Sequence, residues 1–145
     1  MLIGQYDGRL GEKHRIAFPK KFRSRLGDSL IITKGFESSL IIVSEKNWTT
    51  LLEGTAGQPF TSSSTRQMQR LLLGGASSIE LDSKGRFIIP EYLRDYASIR
   101  DDVVFLGLER YVELWSKELW EKQRAVLEEK IELIAERLEG KHSNE

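Results

Sequence analysis

Two short segments of the chain carry lysine and arginine at the same spacing. Lys13 and Arg15 recur as Lys84 and Arg86, and a proline follows each arginine by four residues. An arginine is always charged, and its planar fork of N–H donors fits guanine O6 and N7 or two phosphate oxygens. Lysine supplies a less directional charge that suits phosphate. Both segments are therefore candidate nucleic-acid contacts, although plain solvated turns would contain the same residue types.

The residues around these cations predict tight turns that differ between the two segments. Asp82 lies four residues before Arg86 and is expected to brace it by a salt bridge. Gly85 can adopt the positive φ that a hairpin turn requires. The first segment has Gly11 and His14 at the matching positions, so it lacks that carboxylate unless another acidic residue replaces it. We interpret His14 as a turn residue or a phosphate contact.

The sequence lacks the residues that enzymatic catalysis or metal binding would require. The chain has no cysteine and two histidines, His14 and His142, so no nucleophile–histidine arrangement and no tetrahedral metal site is indicated. No glycine-rich phosphate loop occurs. We therefore expect no enzymatic activity, no metal, no cofactor and no small-molecule substrate. An enzyme with an unrecognised site remains an alternative, which would require a concave pocket with convergent polar groups.

The chain has a formal net charge of zero, but the distribution of its charges favours a basic surface that could bind an acidic partner. Residues 1–35 carry eight Lys and Arg against three Asp and Glu, whereas residues 116–145 carry six against eight. A chain that is neutral on average can present a basic face, and a phosphate backbone responds to that local face. No apolar stretch approaches the roughly 20 residues that cross a bilayer, and no signal peptide is evident. The expected protein is soluble and cytoplasmic, without a membrane partner.

An internal repeat organises the chain. Residues 10–26 and 30–48 align with a second copy at offsets of 71 and 72, with nine identities in 36 positions. About two would be expected from average composition. The identical pairs are Leu10/Leu81, Lys13/Lys84, Arg15/Arg86, Pro19/Pro90, Arg23/Arg94, Gly35/Gly107, Glu37/Glu109, Ser44/Ser116 and Trp48/Trp120.

Each copy predicts the same order of elements: a short strand, a tight turn, an apolar strand, a helix opened by proline, two further strands and a serine N-cap. In the first copy, the expected bounds are 16–18 for the apolar strand, 19–26 for the helix, and 30–34 and 40–43 for the two further strands. In the second copy, they are 87–89 for the apolar strand, 90–97 for the helix, and 103–106 and 111–115 for the two further strands. Residues 54–64 read as a loop, 65–73 as a helix and 117–139 as a long helix ending at Gly140. An apolar stripe on that helix either joins copies of the chain or packs on its own core.

One copy of about 50 residues buries too little surface to be stable alone. Two copies related by a pseudo-twofold axis and sharing one β-core would solve this, so the sequence predicts an α+β pseudo-dimer within a single chain. The expected divisions are unit 1 at 1–53, a linker and connecting helix at 54–75, unit 2 at 76–123, and a C-terminal helix extension and tail at 124–145.

Residues 82–86 (Asp-Ser-Lys-Gly-Arg), the proline that follows, and residues 66–76 (Arg-Gln-Met-Gln-Arg-Leu-Leu-Leu-Gly-Gly-Ala) resemble the bacterial MraZ family. The resemblance extends over residues 1 to about 125, including the strand end at 113–115 and Trp120. It implies two tandem SpoVT-AbrB-type units that form a swapped-hairpin β-barrel with peripheral helices. It also implies ring-shaped homo-oligomers.

The resemblance further implies a sequence-specific, nucleoid-associated transcriptional regulator. Its double-stranded DNA targets would be short direct repeats upstream of the division and cell-wall gene cluster, including the promoter of its own gene. By position, DNA contact falls on Lys13 and Arg15 and on Lys84 and Arg86, with Asp82 in support. The turn analysis adds His14 as a contact and Gly85 as a supporting residue. The alternative is a ring scaffold whose basic loops bind acidic partners.

Overall fold

Two similar halves alternate strands and helices in an α+β fold, as the sequence predicts. The computed structural model describes residues 1–53 and 58–143, with side chains to residue 140. The first half contains β1 (Leu2–Arg9), a 3-10 turn (Glu12–His14), β2 (Arg15–Ala17), α1 (Lys20–Leu26), β3 (Ser29–Lys34), β4 (Leu40–Ser44) and α2 (Glu45–Leu51). Then come α3 (Ser63–Leu72), β5 (Ser77–Glu80), β6 (Arg86–Ile88), α4 (Glu91–Tyr96), β7 (Asp102–Glu109), β8 (Val112–Ser116) and α5 (Lys117–Ser143).

The six-stranded sheet has the order β1-β7-β8-β4-β3-β5, and all of its pairings are antiparallel. Under the sequence repeat, β1 corresponds to β5, β7 to β3 and β8 to β4, so the order reads the same from either edge. The first strand of each half pairs with the third strand of the other half. Tyr6 thus stands opposite Phe105, and Leu30 opposite Ile79. The repeat is therefore expressed as reciprocal pairing between the halves.

A second, two-stranded sheet joins β2 to β6, and we call it the ribbon. Ile16 stands opposite Phe87, with Arg15 opposite Ile88 and Ala17 opposite Arg86. Since Ile16 and Phe87 are equivalent positions of the repeat, this pairing is symmetric about its centre. The two strands around each basic turn were expected to form a hairpin. Instead each pairs with a strand of the other half, because that exchange buries apolar side chains from both.

One hydrophobic core draws on both halves. The inward-facing Ile16 and Phe87 belong to the same cluster as Phe18, Phe22 and Phe105. The Phe18 and Phe105 rings meet edge to face, with centroids 5.7 Å apart. Burying a side chain of this size contributes about 1.5–3 kcal/mol. Removing either half would therefore expose the other half's core residues.

The helix boundaries follow the predicted signals with small shifts. Pro19 is the N-cap of α1, so the helix begins one residue later than predicted, while Gly27 ends it at φ +79°. Ser44 caps α2 as predicted, because its hydroxyl accepts from the Asn47 N–H at 3.2 Å. The helix predicted at 65–73 begins at Ser63.

The long C-terminal helix extends further than its sequence predicts. It runs through Gly140 to residue 143, so the predicted stop was wrong, because one glycine costs a helix only about 1 kcal/mol. The loop predicted at 54–64 lies partly outside the described residues, at positions 54–57. None of the helices in the described ranges has the length and apolar character needed to cross a bilayer.

Gly107 provides a test of the exchanged strands. A Cβ there would lie 2.7 Å from the Ile3 nitrogen and 2.8 Å from the Leu2 carbonyl carbon, both backbone atoms of β1. Gly107→Ala must push β1 away from β7, so we expect a loss of about 1–3 kcal/mol of unfolding free energy. Urea denaturation measures this loss. Gly11→Ala is the control, because a Cβ there meets nothing nearer than 3.7 Å. Equal stability of both variants would contradict the close approach.

Candidate nucleic-acid interface

The outer face of the ribbon carries one arginine from each half. Side chains alternate along a strand, so Ile16 and Phe87 point to the core while their neighbours point outward. Arg15 and Arg86 are both partly exposed on this outer face. They occupy diagonal positions, which in an antiparallel pair are about 7–8 Å apart. They also line one shallow depression, so the two predicted arginines share a surface and neither points into the core.

Asp82 organises the second turn. Its Oδ1 accepts from the backbone N–H groups of Lys84 and Arg86, both at 2.9 Å. Its Oδ2 accepts from Arg86 Nε at 3.0 Å, which confirms the predicted brace. These bonds lower the pKa of Asp82, the largest contribution coming from the Arg86 backbone N–H. One carboxylate therefore fixes both the backbone of the turn and the side chain of Arg86.

The first turn reaches a related shape without a carboxylate. Gly11 N–H donates to the Arg15 carbonyl at 2.8 Å, as Asp82 N–H does to the Arg86 carbonyl at 2.9 Å. Lys13 and His14 stand at φ 59° and 60°, a left-handed region that costs side-chain-bearing residues free energy. Among the described residues, Arg15 has no side-chain hydrogen bond or ion pair. The first turn is thus strained where the second is braced.

Gly85 confirms the predicted positive φ, at +76°, and has a second role. A Cβ at this position would lie 2.9 Å from Arg23 Nη1. Arg23 packs behind the turn, donates from Nη2 to the Asp82 carbonyl at 3.4 Å and from Nε to Asp28 at 2.9 Å. The contact of Arg23 with the second turn was not predicted from the sequence, although Arg23 and Arg94 are identical at equivalent positions of the repeat.

The two turns lie at opposite ends of the ribbon, because β2 and β6 run antiparallel. Lys13 and His14 are exposed at one end, and Lys84 is exposed at the other. Asp82 is paired with Arg86, and Glu80 lines the same depression as the two arginines. The face therefore offers two central guanidinium groups with cationic or polar side chains on both sides.

The other basic residues considered from the sequence lie on α1 and at the start of α3. Lys20, Lys21 and Arg25 are exposed on α1. Arg66 donates to the carbonyls of Phe60 and Thr61, so it braces the loop before α3. Within residues 1–53 and 58–143, no group of three or more His, Asp or Glu side chains could hold a metal ion.

Known proteins resemble this chain over nearly its whole length. A family model described as "MraZ protein, putative antitoxin-like" matches it twice, over residues 1–71 and 72–141. The Transcriptional regulator MraZ of Caldanaerobacter subterraneus subsp. tengcongensis is 39% identical over 140 residues, covering 97% of this chain and 98% of the relative. The protein of the same name from Thermoanaerobacter pseudethanolicus is 39% identical over 139 residues, covering 96% and 97%.

Substitutions at Asp82 separate its two tasks. Asp82→Ala removes the acceptor of both backbone N–H groups, so we expect faster amide hydrogen exchange at Lys84 and Arg86. Asp82→Asn keeps the Oδ1 acceptor and loses the ionic partner of Arg86 Nε, so exchange should stay close to that of the unchanged protein. Hydrogen exchange followed by NMR measures both variants. Equal exchange in the Ala variant and the unchanged protein would contradict the described turn.

The acidity of Asp82 gives a second check. Because its folded pKa lies below the ordinary value of 3.8, its contribution to stability is fully present above 3.8 and is lost as pH falls through the folded pKa. NMR titration of the Asp82 carboxyl carbon should therefore show a midpoint below 3.8. In Arg86→Ala the midpoint should rise only in part, since the residue at 86 still donates its backbone N–H. A full return to 3.8 would show that the side chain dominates.

Proposed function

This chain belongs to the MraZ family, and on that premise we propose that it is a DNA-binding transcriptional regulator that reads sequence with the outer face of the ribbon. The observation that carries the proposal is the placement of Arg15 and Arg86 side by side on that face, one from each half. Regulators of this kind need no catalytic residues, and we propose none.

The ribbon suits the major groove of B-DNA. That groove is about 12 Å wide and admits a two-stranded β-ribbon. Asp82 holds Arg86 through Nε, which leaves the terminal nitrogens Nη1 and Nη2 to donate to guanine O6 and N7. Arg15 reads a second base pair nearby. Lys13, His14 and Lys84, at the two ends of the ribbon, contact phosphates on either side of the groove.

The interleaved strands correspond, in this proposal, to the swapped-hairpin barrel of two SpoVT-AbrB-type units. Unit 1 spans 1–53 and unit 2 spans 76–123, joined by 54–75 and followed by the extension 124–145. Reciprocal pairing of β1 with β7, of β5 with β3 and of β2 with β6 supports this assignment. The swapped arrangement explains why Arg15 and Arg86, the two arginines proposed to contact bases, come from different halves.

The proposed targets are short direct repeats upstream of the division and cell-wall gene cluster, including the promoter of the chain's own gene. A single ribbon contacts few phosphates, so one copy binds weakly. A ring of copies presents the same face repeatedly and converts later contacts into intramolecular ones, which raises avidity. Regularly spaced repeats match such an assembly, which would be associated with the nucleoid.

The test compares two duplexes: DNA from upstream of the chain's own gene, and a random sequence of equal length. Arg86→Ala removes the guanidinium that binds a base edge, so it should weaken binding to the upstream duplex by about 1–3 kcal/mol, and binding to the random duplex much less. Arg15→Ala should act in the same direction. Fluorescence anisotropy at several salt concentrations measures both affinities, which should fall steeply as salt rises.

Arg110→Ala is the matched control, since it also removes one exposed arginine. Arg110 follows β7 near the chain's N-terminus, at the far end of β1 from the basic turn. It should leave the ratio of upstream to random affinity unchanged. If Arg15→Ala combined with Arg86→Ala also leaves that ratio unchanged, the ribbon does not read sequence. If the chain forms oligomers that bind neither duplex, the alternative of a scaffold that binds acidic partners is favoured.

A further inference from the structure

The outer face of the ribbon carries an exposed isoleucine among its cations. Alternation along β6 turns Ile88 outward, while Phe87 and Ile89 on either side of it are buried. Ile88 is 49% exposed. It stands directly opposite Arg15 in the register and lines the same depression as Arg15 and Arg86. The outer face therefore combines two guanidinium groups with one large apolar side chain.

The two ends of the ribbon differ in this apolar component. Under the sequence repeat, Ile88 corresponds to Ala17, which is also exposed and stands opposite Arg86. The side chain of Ala17 ends at Cβ, whereas that of Ile88 reaches further out beside Arg15. Since both positions face away from the core, the core does not require a large apolar residue at either of them. The size of Ile88 is therefore free to serve a contact outside the chain.

The chemistry of base edges identifies the group that such a residue selects in DNA. Thymine presents a C5-methyl group in the major groove, beside the donors and acceptors that the base pairs display there. Isoleucine offers no hydrogen-bond partner, so against a polar edge it would remove water without replacing the hydrogen bond, which costs free energy. Against a methyl group the same approach is favourable, because both surfaces are apolar.

We propose that Ile88 contacts the C5-methyl group of a thymine close to the guanine that Arg15 binds. The inference rests on the proposed function of the ribbon and names a base that its apolar residue selects. Opposite side chains of an antiparallel pair have Cβ atoms about 4.5–5.5 Å apart, and successive nucleotides of one strand are about 3.4 Å apart. The thymine therefore lies within about two base pairs of that guanine.

The contact also gives the bound chain a direction along the DNA. A ribbon with exact two-fold symmetry would bind a site equally well in both directions. Ile88 makes the end of the ribbon that carries Arg15 different from the end that carries Arg86, where Ala17 is too short to make the same contact. The thymine therefore selects one of the two orientations.

Replacing thymine by uracil tests the contact without changing the protein. Uracil pairs with adenine as thymine does but lacks the methyl group. The two probes are the duplex from upstream of the chain's own gene and the same duplex with uracil at every thymine. The full-length chain should bind the uracil duplex about fourfold more weakly, the effect of removing one methyl-sized group from an apolar contact. Fluorescence anisotropy measures both affinities.

Ile88→Ala identifies the side chain responsible. This variant should bind the thymine duplex more weakly than the unchanged chain does, and should bind the thymine and uracil duplexes equally. Ile3→Ala is the matched control, because it makes the same change at an exposed position near the far end of β1 from the basic turn. It should keep the full preference for thymine. Circular dichroism verifies that both variants keep their fold.

Single replacements in the duplex locate the thymine. One uracil should reproduce the fourfold loss at a single position. Replacement of guanine by 7-deazaguanine removes the N7 acceptor of an arginine contact. The guanine of Arg15 is the one at which this replacement weakens binding by the unchanged chain but not by Arg15→Ala. A separation of much more than two base pairs between that guanine and the thymine would overturn the proposed placement.

The outcomes separate this contact from the function on which it rests. Equal binding of the thymine and uracil duplexes by the unchanged chain would overturn the contact, even if the upstream duplex is still preferred to the random one. A preference for thymine that persists in Ile88→Ala would overturn it as well, because another group would then contact the methyl. If the chain does not distinguish the upstream duplex from the random one, the proposed function fails and the contact fails with it.

Discussion

The structure depends on the exchange of strands between two halves that cannot bury their own apolar residues. The centre of that exchange is the pair Ile16 and Phe87, which belong to equivalent positions and close the core together. Alternation along a strand then dictates the rest. If Ile16 and Phe87 face the core, Arg15 and Arg86 must face outward. Packing of the core thus sets which face carries the two arginines, and Asp82 then fixes the side chain of Arg86 on that face.

Much of this arrangement could be predicted from the sequence because its signals are local. The Asp82 brace, the positive φ of Gly85 and the Ser44 cap each depend on residues within four positions. The choice of pairing partner for a strand does not depend on such nearby residues. Whether the strands around a turn pair with each other or with the other half depends on the summed burial of distant side chains. The local pattern therefore predicted a hairpin, whereas an exchange between the two units was implied by the family resemblance alone.

The support behind the second turn was hidden for a related reason. Arg23 lies 59 residues before Asp82 and reaches its carbonyl across the fold. The equivalent Arg94 donates instead to the Ile89 carbonyl, so identity at a repeat position did not fix a common role. The DNA contacts proposed for the ribbon stay a prediction. The family assignment rests on the sequence over nearly the whole chain.

Covalent joining of the halves also has an evolutionary consequence. In a free dimer of one half, both turns would have the same sequence, so a strained loop and a braced loop could not coexist in one molecule. Tandem duplication removes that restriction while retaining the shared core. One copy has Asp82 and the other has Gly11 at the same position. A duplicated gene can thus give an ancestral symmetric interface two unequal halves, each free to adapt to a different neighbour.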